Sequence, residues 1–321
     1  MKMAIIGTGA IAIKMINTVK FMKDTEICAV AGTSKEKAEA FAKEHGIPSA
    51  YGSYDEMLSS ENVDLVYIAV PHTLHYKASK ACLEAGKNVL CEKPFCVNAE
   101  DAKKLFELAA SKNLLITEAI WTHYMPSRQI INDIISSGEI GEVTSLTANL
   151  GYELSQIPRI WNIKLAGGAL LDCGLYLINF ARMVFGEVDA QVSAQAVYKD
   201  GVDMVDSITM IFPEGKMATL QSNVYAVQNR NGSVFGTKGY IEVTNVNNPE
   251  EIRVFDENYQ EVKCIRVPEQ ITGYEYEVEA CARALEQGQL ECPEMPHAET
   301  VKVLEILDGI RESWGYVIPE A

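Results

Sequence analysis

Short apolar runs alternate with longer amphipathic stretches over the first 120 residues of the chain. The runs of strand type are residues 4–6, 26–31, 65–70, 88–91 and 114–117. Apolar residues at helical spacing fill the segments between them, at 11–22, 35–44, 74–84 and 99–110. Because parallel strands need crossover connections, this pattern predicts an α/β domain with a doubly wound parallel sheet over residues 1–122.

The pattern changes after Pro126, where strands follow one another with few helices between them. A helix at 127–136, a strand at 143–152 and a helix at 168–184 come first. Strand-like runs follow at 191–197, 204–212, 218–225, 233–235, 240–243 and 252–255, and helices return at 274–287 and 298–312. Strands separated by turn residues predict an open, mostly antiparallel sheet. We therefore expect residues 123–321 to form an α+β domain for substrate binding and dimerisation.

The composition narrows the choice of partners. The chain has 321 residues and a formal net charge of −16. Such an acidic surface repels phosphate backbones and anionic lipids, so neither nucleic acid nor a membrane is an expected partner. No apolar run approaches the roughly 20 residues of a membrane helix, and a strand stands where a signal peptide would begin. We therefore expect a cytoplasmic protein.

The eight cysteines contain no C-x-x-C pair. This spacing disfavours both a structural zinc site and a disulfide framework. Most of the thiols are expected to be small buried hydrophobic groups, and we predict no metal site.

A glycine-rich turn joins the first strand to the first helix, with the sequence Gly7-Thr8-Gly9-Ala10-Ile11-Ala12. Gly7 permits the tight turn, Gly9 lets the backbone approach a pyrophosphate, and Ala12 lets the helix pack against the strand. The N-terminal domain is therefore predicted to be a Rossmann domain that binds NADP or NAD.

The residue that contacts the adenosine ribose is expected about 20 positions further on, where Asp or Glu would favour NAD. Here the second strand leads into Thr33 and Ser34, with no carboxylate. Their hydroxyl groups, with the cations of Lys35 and Lys37, favour a 2′-phosphate and hence NADP, while NAD remains possible. Thr33 and Glu36 also have the spacing of a helix capping box, and the two interpretations are compatible.

Further motifs resemble those of one family. They are Pro71-His72-Thr73-Leu74-His75, Cys91-Glu92-Lys93-Pro94, the run Gly-Gly-Ala-Leu-Leu-Asp-Cys-Gly-Leu-Tyr at 167–176, Gly-Thr-Lys-Gly at 236–239, and a C-terminal stretch from Glu299 to Trp314. At these separations they resemble the glucose–fructose oxidoreductase, inositol dehydrogenase and rhizopine-catabolism (Gfo/Idh/MocA) family over essentially the whole chain. The resemblance implies an oxidoreductase with a cis peptide bond between Lys93 and Pro94.

Within that family, the segments 118–122 and 159–161, with Tyr176, resemble the branch of dihydrodiol and xylose dehydrogenases. Most other members carry His at the position of Tyr176. The chain departs from the branch at His123, where Arg is usual, and after the second strand, where Arg is missing. The resemblance implies hydride transfer between a nicotinamide and a hydroxyl-bearing carbon of a sugar, polyol or cyclic diol, such as a trans-dihydrodiol or xylose.

Oxidation of an alcohol needs a hydride acceptor and a group that removes the hydroxyl proton. Tyr176 can remove this proton if its pKa falls from about 10 towards neutral, which a nearby ammonium group promotes. The resemblance implies that Lys93 is this cation, placed at the nicotinamide and the substrate. Asp172 precedes Tyr176 by four positions, so an α-helix would present both on one face, with Asp172 as an orienting residue. The alternative for Tyr176 is a core position with its hydroxyl group hydrogen-bonded.

The remaining predicted cofactor contacts follow the ends of strands, where ligands bind to open α/β sheets. They are Ala69, Pro71, His72, His75, Glu92, Lys93 and Trp121. His75 is expected near the nicotinamide ribose. Two histidines without a third ligand are poor evidence of a metal site.

The predicted substrate contacts are Trp121, Tyr152, Arg159, Trp161 and Tyr176. Trp121, Tyr152 and Trp161 would form an apolar substrate wall or, alternatively, core between the domains. Two other functions stay open: a sensor that binds dinucleotide without turnover, and a glycosidase that uses NAD for transient oxidation. Because an open sheet is expected to expose apolar residues, we also predict a homodimer through the C-terminal sheet.

Overall fold

The computed structural model describes residues 1–186 and 188–319. Its strands, in chain order, are β1 (Lys2–Ile6), β2 (Glu26–Ala31), β3 (Ser49–Tyr51), β4 (Leu65–Ile68), β5 (Asn88–Glu92), β6 (Ile116–Ala119), β7 (Val143–Gly151), β8 (Gln191–Lys199), β9 (Val202–Ile211), β10 (Met217–Asn223), β11 (Gly232–Gly236), β12 (Gly239–Val243), β13 (Glu251–Asp256) and β14 (Glu261–Arg266). Its helices are α1 (Ala10–Val19), α2 (Lys35–His45), α3 (Tyr54–Ser60), α4 (His75–Glu84), α5 (Ala99–Lys112), α6 (Pro126–Ser136), α7 (Leu175–Phe185), α8 (Glu275–Glu286) and α9 (His297–Trp314). Glu187 and the last two residues of the predicted second domain lie outside the described residues.

The first sheet is parallel throughout, with the strand order β3-β2-β1-β4-β5-β6. The strand order reverses direction between β1 and β4, which makes the carboxyl ends of these two strands a switch point where ligands bind. Strands β1, β4 and β5 are almost wholly buried, because helices cover both faces of a sheet of this type. The predicted doubly wound sheet is confirmed.

The second sheet has the order β14-β13-β12-β11-β7-β10-β9-β8. Only its β7 and β10 pair in parallel, and its other neighbours are antiparallel, as predicted. Alternate residues of these strands, such as Leu146, Ile208 and Leu220, are buried on one face, where α7 packs against the sheet.

The opposite face of this sheet differs from the expectation of an exposed apolar surface. Its central strands present hydroxyl and amide side chains around a groove of about 500 Å³, among them Thr147, Asn149, Ser207, Thr219 and Gln221. Towards one side of the sheet, the Tyr240 and Phe255 rings stack at 4.6 Å. The apolar surface expected in the dimer prediction is therefore interrupted by a polar centre, while Val197, Ile211 and Met217 of β8, β9 and β10 are exposed apolar residues.

The described residues form two compact units. The first contains Met1–Tyr124 together with Gln270–Leu304, and the second contains Met125–Glu269 and the chain from Glu305 onward. The predicted boundary at 122/123 lies within two residues of the observed one, but the assignment of 270–304 to the second domain is corrected. In the first unit, Ile116 N–H donates to the Leu290 carbonyl at 3.1 Å, and His297 Nε2 lies 2.7 Å from the Ile116 carbonyl. Helical periodicity alone does not reveal which sheet a helix joins.

The segment Ile163–Phe185 is long and apolar enough to cross a membrane by length and composition, contrary to the sequence analysis. However, 78% of its 18-residue window is buried within the protein, as in the core helix of a globular unit. The eight cysteines are free thiols, and six of them are buried, as the sequence analysis expected for most.

Candidate active site

The glycine-rich turn lies at the switch point of the first sheet. Gly7 has φ +118°, and a Cβ atom there would lie 2.2 Å from the Ala69 carbonyl oxygen. Its N–H donates to the Ala31 carbonyl at 2.9 Å. Only glycine fits this position, because both the backbone angle and the contact with Ala69 exclude a side chain.

The N-terminus of α1 is open to a ligand. Gly9 is its N-cap residue and offers no capping side chain, and the first turn contains no acidic residue. Gly9 and Ala10 are exposed, Thr8 and Ile11 are half-buried, and a Cβ atom on Gly9 would meet no described atom within 4 Å. The first N–H groups of a helix bind anions when no side chain caps them, so this cradle fits a pyrophosphate.

The loop after β2 adjoins that cradle, since a Cβ atom on Gly32 would lie 3.5 Å from the Thr8 methyl group. Ser34, rather than Thr33, caps α2 by accepting a hydrogen bond from Lys37 N–H at 3.3 Å. The suggested capping box of Thr33 and Glu36 is therefore wrong, because the N-cap residue lies one position later. Thr33 and Lys37 are exposed, whereas Lys35 Nζ lies 3.4 Å from Glu56.

The loop after β4 contains Pro71, His72 and His75. His75 is fully buried, its Nδ1 lies 2.8 Å from the Pro94 carbonyl and its Nε2 lies 2.9 Å from the Val70 carbonyl. It therefore ties the loop after β4 to the loop after β5. This placement favours a supporting role for His75 over the expected contact with the ribose. His72 is also buried, with its ring edge towards His75.

Lys93 directly follows β5, and its peptide bond to Pro94 is cis, as the resemblance implied. The side chain is half-buried, and the backbone N–H donates to Glu92 Oε2 at 3.2 Å. The hydroxyl group of the fully buried Tyr67 donates to Glu92 Oε1. Burial raises the pKa of Glu92, while Tyr67 and Lys93 act in the opposite direction. Glu92 is thus held between a neighbouring strand and the backbone of Lys93.

Glu118 supports the same loop and was not identified from the sequence. Its Oε1 accepts Phe95 N–H at 3.0 Å, and its Oε2 accepts the Thr300 hydroxyl at 3.0 Å. Burial raises the pKa of Glu118 to about 7. Strand β6 extends to Ala119, so Glu118 is an acidic residue inside a buried strand. The sequence therefore contained a signal for Glu118, because an acidic residue in a buried strand needs hydrogen-bonding partners.

Trp121 lies in the first unit, where it stacks on Tyr274 at 4.5 Å with an interplanar angle of 16°. It is 8% exposed. Tyr152 and Trp161 lie in the second unit, and each is held in a cluster of its own. Trp161 Nε1 donates to the Ser155 carbonyl at 2.8 Å, and the Tyr152 hydroxyl accepts from Asn247 at 3.2 Å.

The second unit contains Asp172 and Tyr176. Arg159 Nη1 donates to Asp172 Oδ2 at 2.9 Å, and Nη2 donates to Oδ1 at 3.0 Å. The segment Leu170–Gly174 is π-helical and runs directly into α7, where Tyr176 is half-buried. The prediction that Asp172 and Tyr176 share one face of an α-helix is therefore wrong in its geometry, because a π-helix has more residues per turn.

Two family domains match the chain. Residues 1–119 match "Oxidoreductase family, NAD-binding Rossmann fold", and residues 129–242 match "GFO/IDH/MocA C-terminal domain". The chain is 31% identical to trans-1,2-dihydrobenzene-1,2-diol dehydrogenase of Mus musculus, covering 100% of this chain and 98% of that protein. It is 34% identical to the Xenopus tropicalis protein of the same name, covering 92% of each.

Solved structures share the fold. A 3-ketoreductase from Actinomadura kijaniata, in complex with NADP and TDP-benzene, superposes with a TM-score of 0.89 at 23% identity over 97% of each chain. Aldose-aldose oxidoreductase from Caulobacter crescentus, complexed with glycerol, superposes with a TM-score of 0.87 at 21% identity over 98% of this chain and 97% of that one. The matched domains and the full-length identity together establish that this chain belongs to the Gfo/Idh/MocA family of oxidoreductases, with an NAD-binding Rossmann domain at its N-terminus.

Proposed function

We propose that this oxidoreductase transfers a hydride between NADP and a hydroxyl-bearing carbon of a trans-dihydrodiol, an aldose such as xylose, or a related polyol. The observation that carries the proposal is the anchoring of Lys93. Its backbone is bonded to Glu92, and Glu118 holds the N–H of Phe95 two residues later. The identity with dihydrodiol dehydrogenases over the whole chain supports the substrate class.

The cofactor is assigned to the edge of the first sheet. The amides at the start of α1, from Gly7 to Ile11, bind the pyrophosphate. Thr33, Ser34 and Lys37 bind the 2′-phosphate, since the loop after β2 offers hydroxyl groups and a cation but no carboxylate. Residues at the ends of β4, β5 and β6, or shortly after them, complete the site: Ala69, Pro71, His72, Glu92 and Trp121. When bound, the nicotinamide accepts or supplies the hydride.

Proton transfer is assigned to Tyr176, and the cation that orients the substrate is assigned to Lys93. Asp172 then acts through its ion pair with Arg159, which fixes the start of the helix that carries Tyr176. Tyr152 and Trp161 are assigned to substrate specificity, because each offers an aromatic ring at a partly exposed position in the second unit.

Titration with NADPH and NADH, followed by nicotinamide fluorescence, tests the cofactor assignment. A panel of dihydrodiols, aldoses and polyols then tests turnover. We expect tighter binding of NADPH, and turnover that falls by about 10²- to 10⁴-fold in both Lys93→Ala and Tyr176→Phe. If the two residues act together, the double variant should lose little more than either single variant.

Two outcomes would favour the alternatives. Nucleotide binding without turnover on any compound of the panel would indicate a sensor. Cleavage of a glycoside without net reduction of added nucleotide would indicate a glycosidase that uses NAD transiently. Binding of neither nucleotide would contradict the whole proposal.

We infer that the protein is a homodimer whose second copy covers the outer face of the second sheet. The support is the Tyr240–Phe255 stack beside a groove lined with hydroxyl and amide groups, which suits a wet interface. Light scattering at micromolar concentration should give twice the monomer mass, and Tyr240→Glu should give the monomer mass. A monomeric wild type would contradict the inference.

We also place the reaction in the cytosol. The support is that the eight cysteines are free thiols, as is usual for proteins of the reducing cytosol. Detection of a disulfide bond in protein isolated from its natural source would contradict this assignment.

A further inference from the structure

Gly168, the second of two glycines before the π-helical segment, faces a side chain from a distant strand. Gly168 has φ +112°, and a Cβ atom there would lie 2.1 Å from Asp203 Oδ1. Asp203 belongs to β9 and is 2% exposed. The glycine therefore leaves room for a buried carboxylate that arrives from another element.

Asp203 caps the helix that begins beyond these glycines. Its Oδ2 accepts Leu170 N–H at 2.7 Å, and the backbone N–H groups of Ala169 and of Asp203 itself also lower the pKa of this carboxylate. The N-cap position itself has no capping side chain. A negative charge at a helix N-terminus is favoured by the unpaired N–H groups and by the helix dipole. Asp203 thus does from a distant strand what an N-cap side chain normally does.

The capped segment contains Asp172, and the helix α7 that continues from it contains Tyr176. Asp172 lies two residues after Leu170, and Tyr176 lies one turn further on in α7. A change in the start of the helix moves both side chains. A displacement of about 1 Å in a catalytic group can cost about 10²-fold in rate.

A second buried carboxylate, Asp206, lies on the same strand and provides a matched comparison. It accepts the Ser222 hydroxyl at 2.8 Å, and its Oδ1 has no hydrogen-bond partner among the described residues. Burial and the Asp203 charge raise the pKa of Asp206 well above its ordinary range. Of the two buried carboxyl groups on β9, Asp206 is therefore the protonated one. Asparagine closely resembles a protonated aspartate.

Asp203, in contrast to Asp206, is ionised near neutral pH. Burial raises its pKa to about 6, while the helix N–H groups act in the opposite direction. The titratable groups that face it are Asp172 of the capped segment, Asp206 of its own strand, Tyr198 of β8 and Tyr316 of the C-terminal segment. Arg311 of α9 acts on Tyr316. Asparagine does not mimic this carboxylate, since it lacks the negative charge that the helix N-terminus favours.

We propose that Asp203 is a positioning residue, which as a carboxylate fixes the start of the helix and thereby aims Asp172 and Tyr176 at the substrate. The proposal rests on the proposed function, in which these two residues take part in the reaction.

The test compares Asp203→Asn with Asp206→Asn in the full-length protein. We expect Asp203→Asn to lower kcat by about 10- to 100-fold at pH 8, with the Kd for NADPH within about twofold of wild type. Asp206→Asn should keep kcat within about twofold. In the wild type, kcat should also fall as the pH is lowered through about 6, and Asp203→Asn should lose this step. Equal kcat in both variants, or an unchanged acid step in Asp203→Asn, would overturn the proposal.

Amide hydrogen exchange separates this proposal from the proposed function. The Leu170 N–H should exchange at least about 10-fold faster in Asp203→Asn than in wild type, and at the wild-type rate in Asp206→Asn. If the wild type turned over no compound of the panel while this difference held, only the proposed function would fail. Equal exchange in all three proteins would overturn the capping role. Should Asp203→Asn not fold, the protection of Leu170 in the wild type should fall below about pH 6, and constant protection would overturn the proposal.

Discussion

Arg159 and Asp172 form a two-pronged ion pair, with both guanidinium Nη atoms within 3.0 Å of the carboxylate oxygens. Asp172 is 8% exposed and Arg159 is 30% exposed at the side chain. A planar guanidinium matches a carboxylate better than the single ammonium of lysine does. The pair therefore fixes the orientation of Asp172, and it joins the short helix Pro158–Trp161 to the segment Leu170–Gly174.

Loss of this pair should destabilise the second unit. Arg159→Ala leaves the buried Asp172 without its guanidinium partner, which we expect to lower the free energy of unfolding by about 1–3 kcal/mol. Arg159→Lys keeps the positive charge but loses the bidentate hydrogen bonding of the guanidinium, so it should recover only part of that stability. Urea denaturation of the three proteins measures the effect. Equal stability of Arg159→Ala and wild type would show that the pair contributes nothing.

Gly168→Ala should be among the most damaging small substitutions in the second unit. The new Cβ atom would meet Asp203 Oδ1 at 2.1 Å, and φ +112° is strained for alanine, so we expect a loss of more than about 2 kcal/mol. Gly309→Ala is the matched control, because Gly309 lies exposed in α9 and a Cβ atom there would meet no described atom within 4 Å. That change should stabilise the protein by about 1 kcal/mol. Thermal unfolding that ranked the variants in the other order would contradict the close approach of Asp203.

The choice between NADP and NAD should depend on the loop after β2. Thr33→Asp introduces the carboxylate that this loop lacks, which should weaken NADPH binding by at least about 10-fold and favour NADH. Lys37→Ala should weaken NADPH binding alone. Lys35→Ala is the control, since Lys35 is already paired with Glu56, and it should have the smaller effect. Equal effects of the two lysine variants in a fluorescence titration would argue against Lys37 as the phosphate ligand.

Glu118 should make the stability of the protein depend on pH. Its pKa is about 7 in the folded state and about 4.3 in an unfolded chain. The folded state therefore binds the proton more tightly, so the contribution of Glu118 to the free energy of unfolding is greatest below about pH 4 and falls, by about 3 kcal/mol at most, as the pH rises to 7. Glu118→Gln keeps an acceptor for Phe95 N–H and a group for Thr300, and its stability should lack this fall.

The Glu118 prediction is checked by urea unfolding at several pH values. Thr300→Val removes a hydroxyl that lowers the pKa of Glu118, so the fall in stability should extend to higher pH. Parallel stability curves for the wild type and Glu118→Gln would mean that Glu118 does not titrate in this range.

Much of the fold could be predicted because its strands are apolar and its turns carry glycine. The elements not predicted were β3, α3 and β14. Strand β3 has three residues and pairs only with β2 at the edge of the first sheet. Strand β14 is an edge strand with mostly exposed side chains, so no alternation of apolar residues marks it. Short or solvated elements leave little hydrophobic pattern to detect.

The site residues could be predicted from the sequence where the backbone conformation requires a particular residue, as at Gly7. They were harder to predict where a side chain contacts a segment that is distant in the sequence. Glu118 and Asp203 are separated in sequence from the residues that they hold, Phe95 and Leu170. Each is an acidic residue within a buried strand, which indicates a partner without identifying it. The role of His75 likewise depends on two carbonyl groups whose positions follow only from the fold.

Hydride transfer itself is the central claim, and an isotope experiment tests it most directly. The protein would be given NADP with trans-1,2-dihydrobenzene-1,2-diol deuterated at its carbinol carbons, or with D-xylose deuterated at C1, and the reduced nucleotide would be analysed by mass spectrometry. We predict that deuterium from one of these substrates appears in NADPH, with a slower rate than for the unlabelled compound and a much smaller yield in Tyr176→Phe. Label found in water, or turnover without labelled NADPH, would contradict a dehydrogenase.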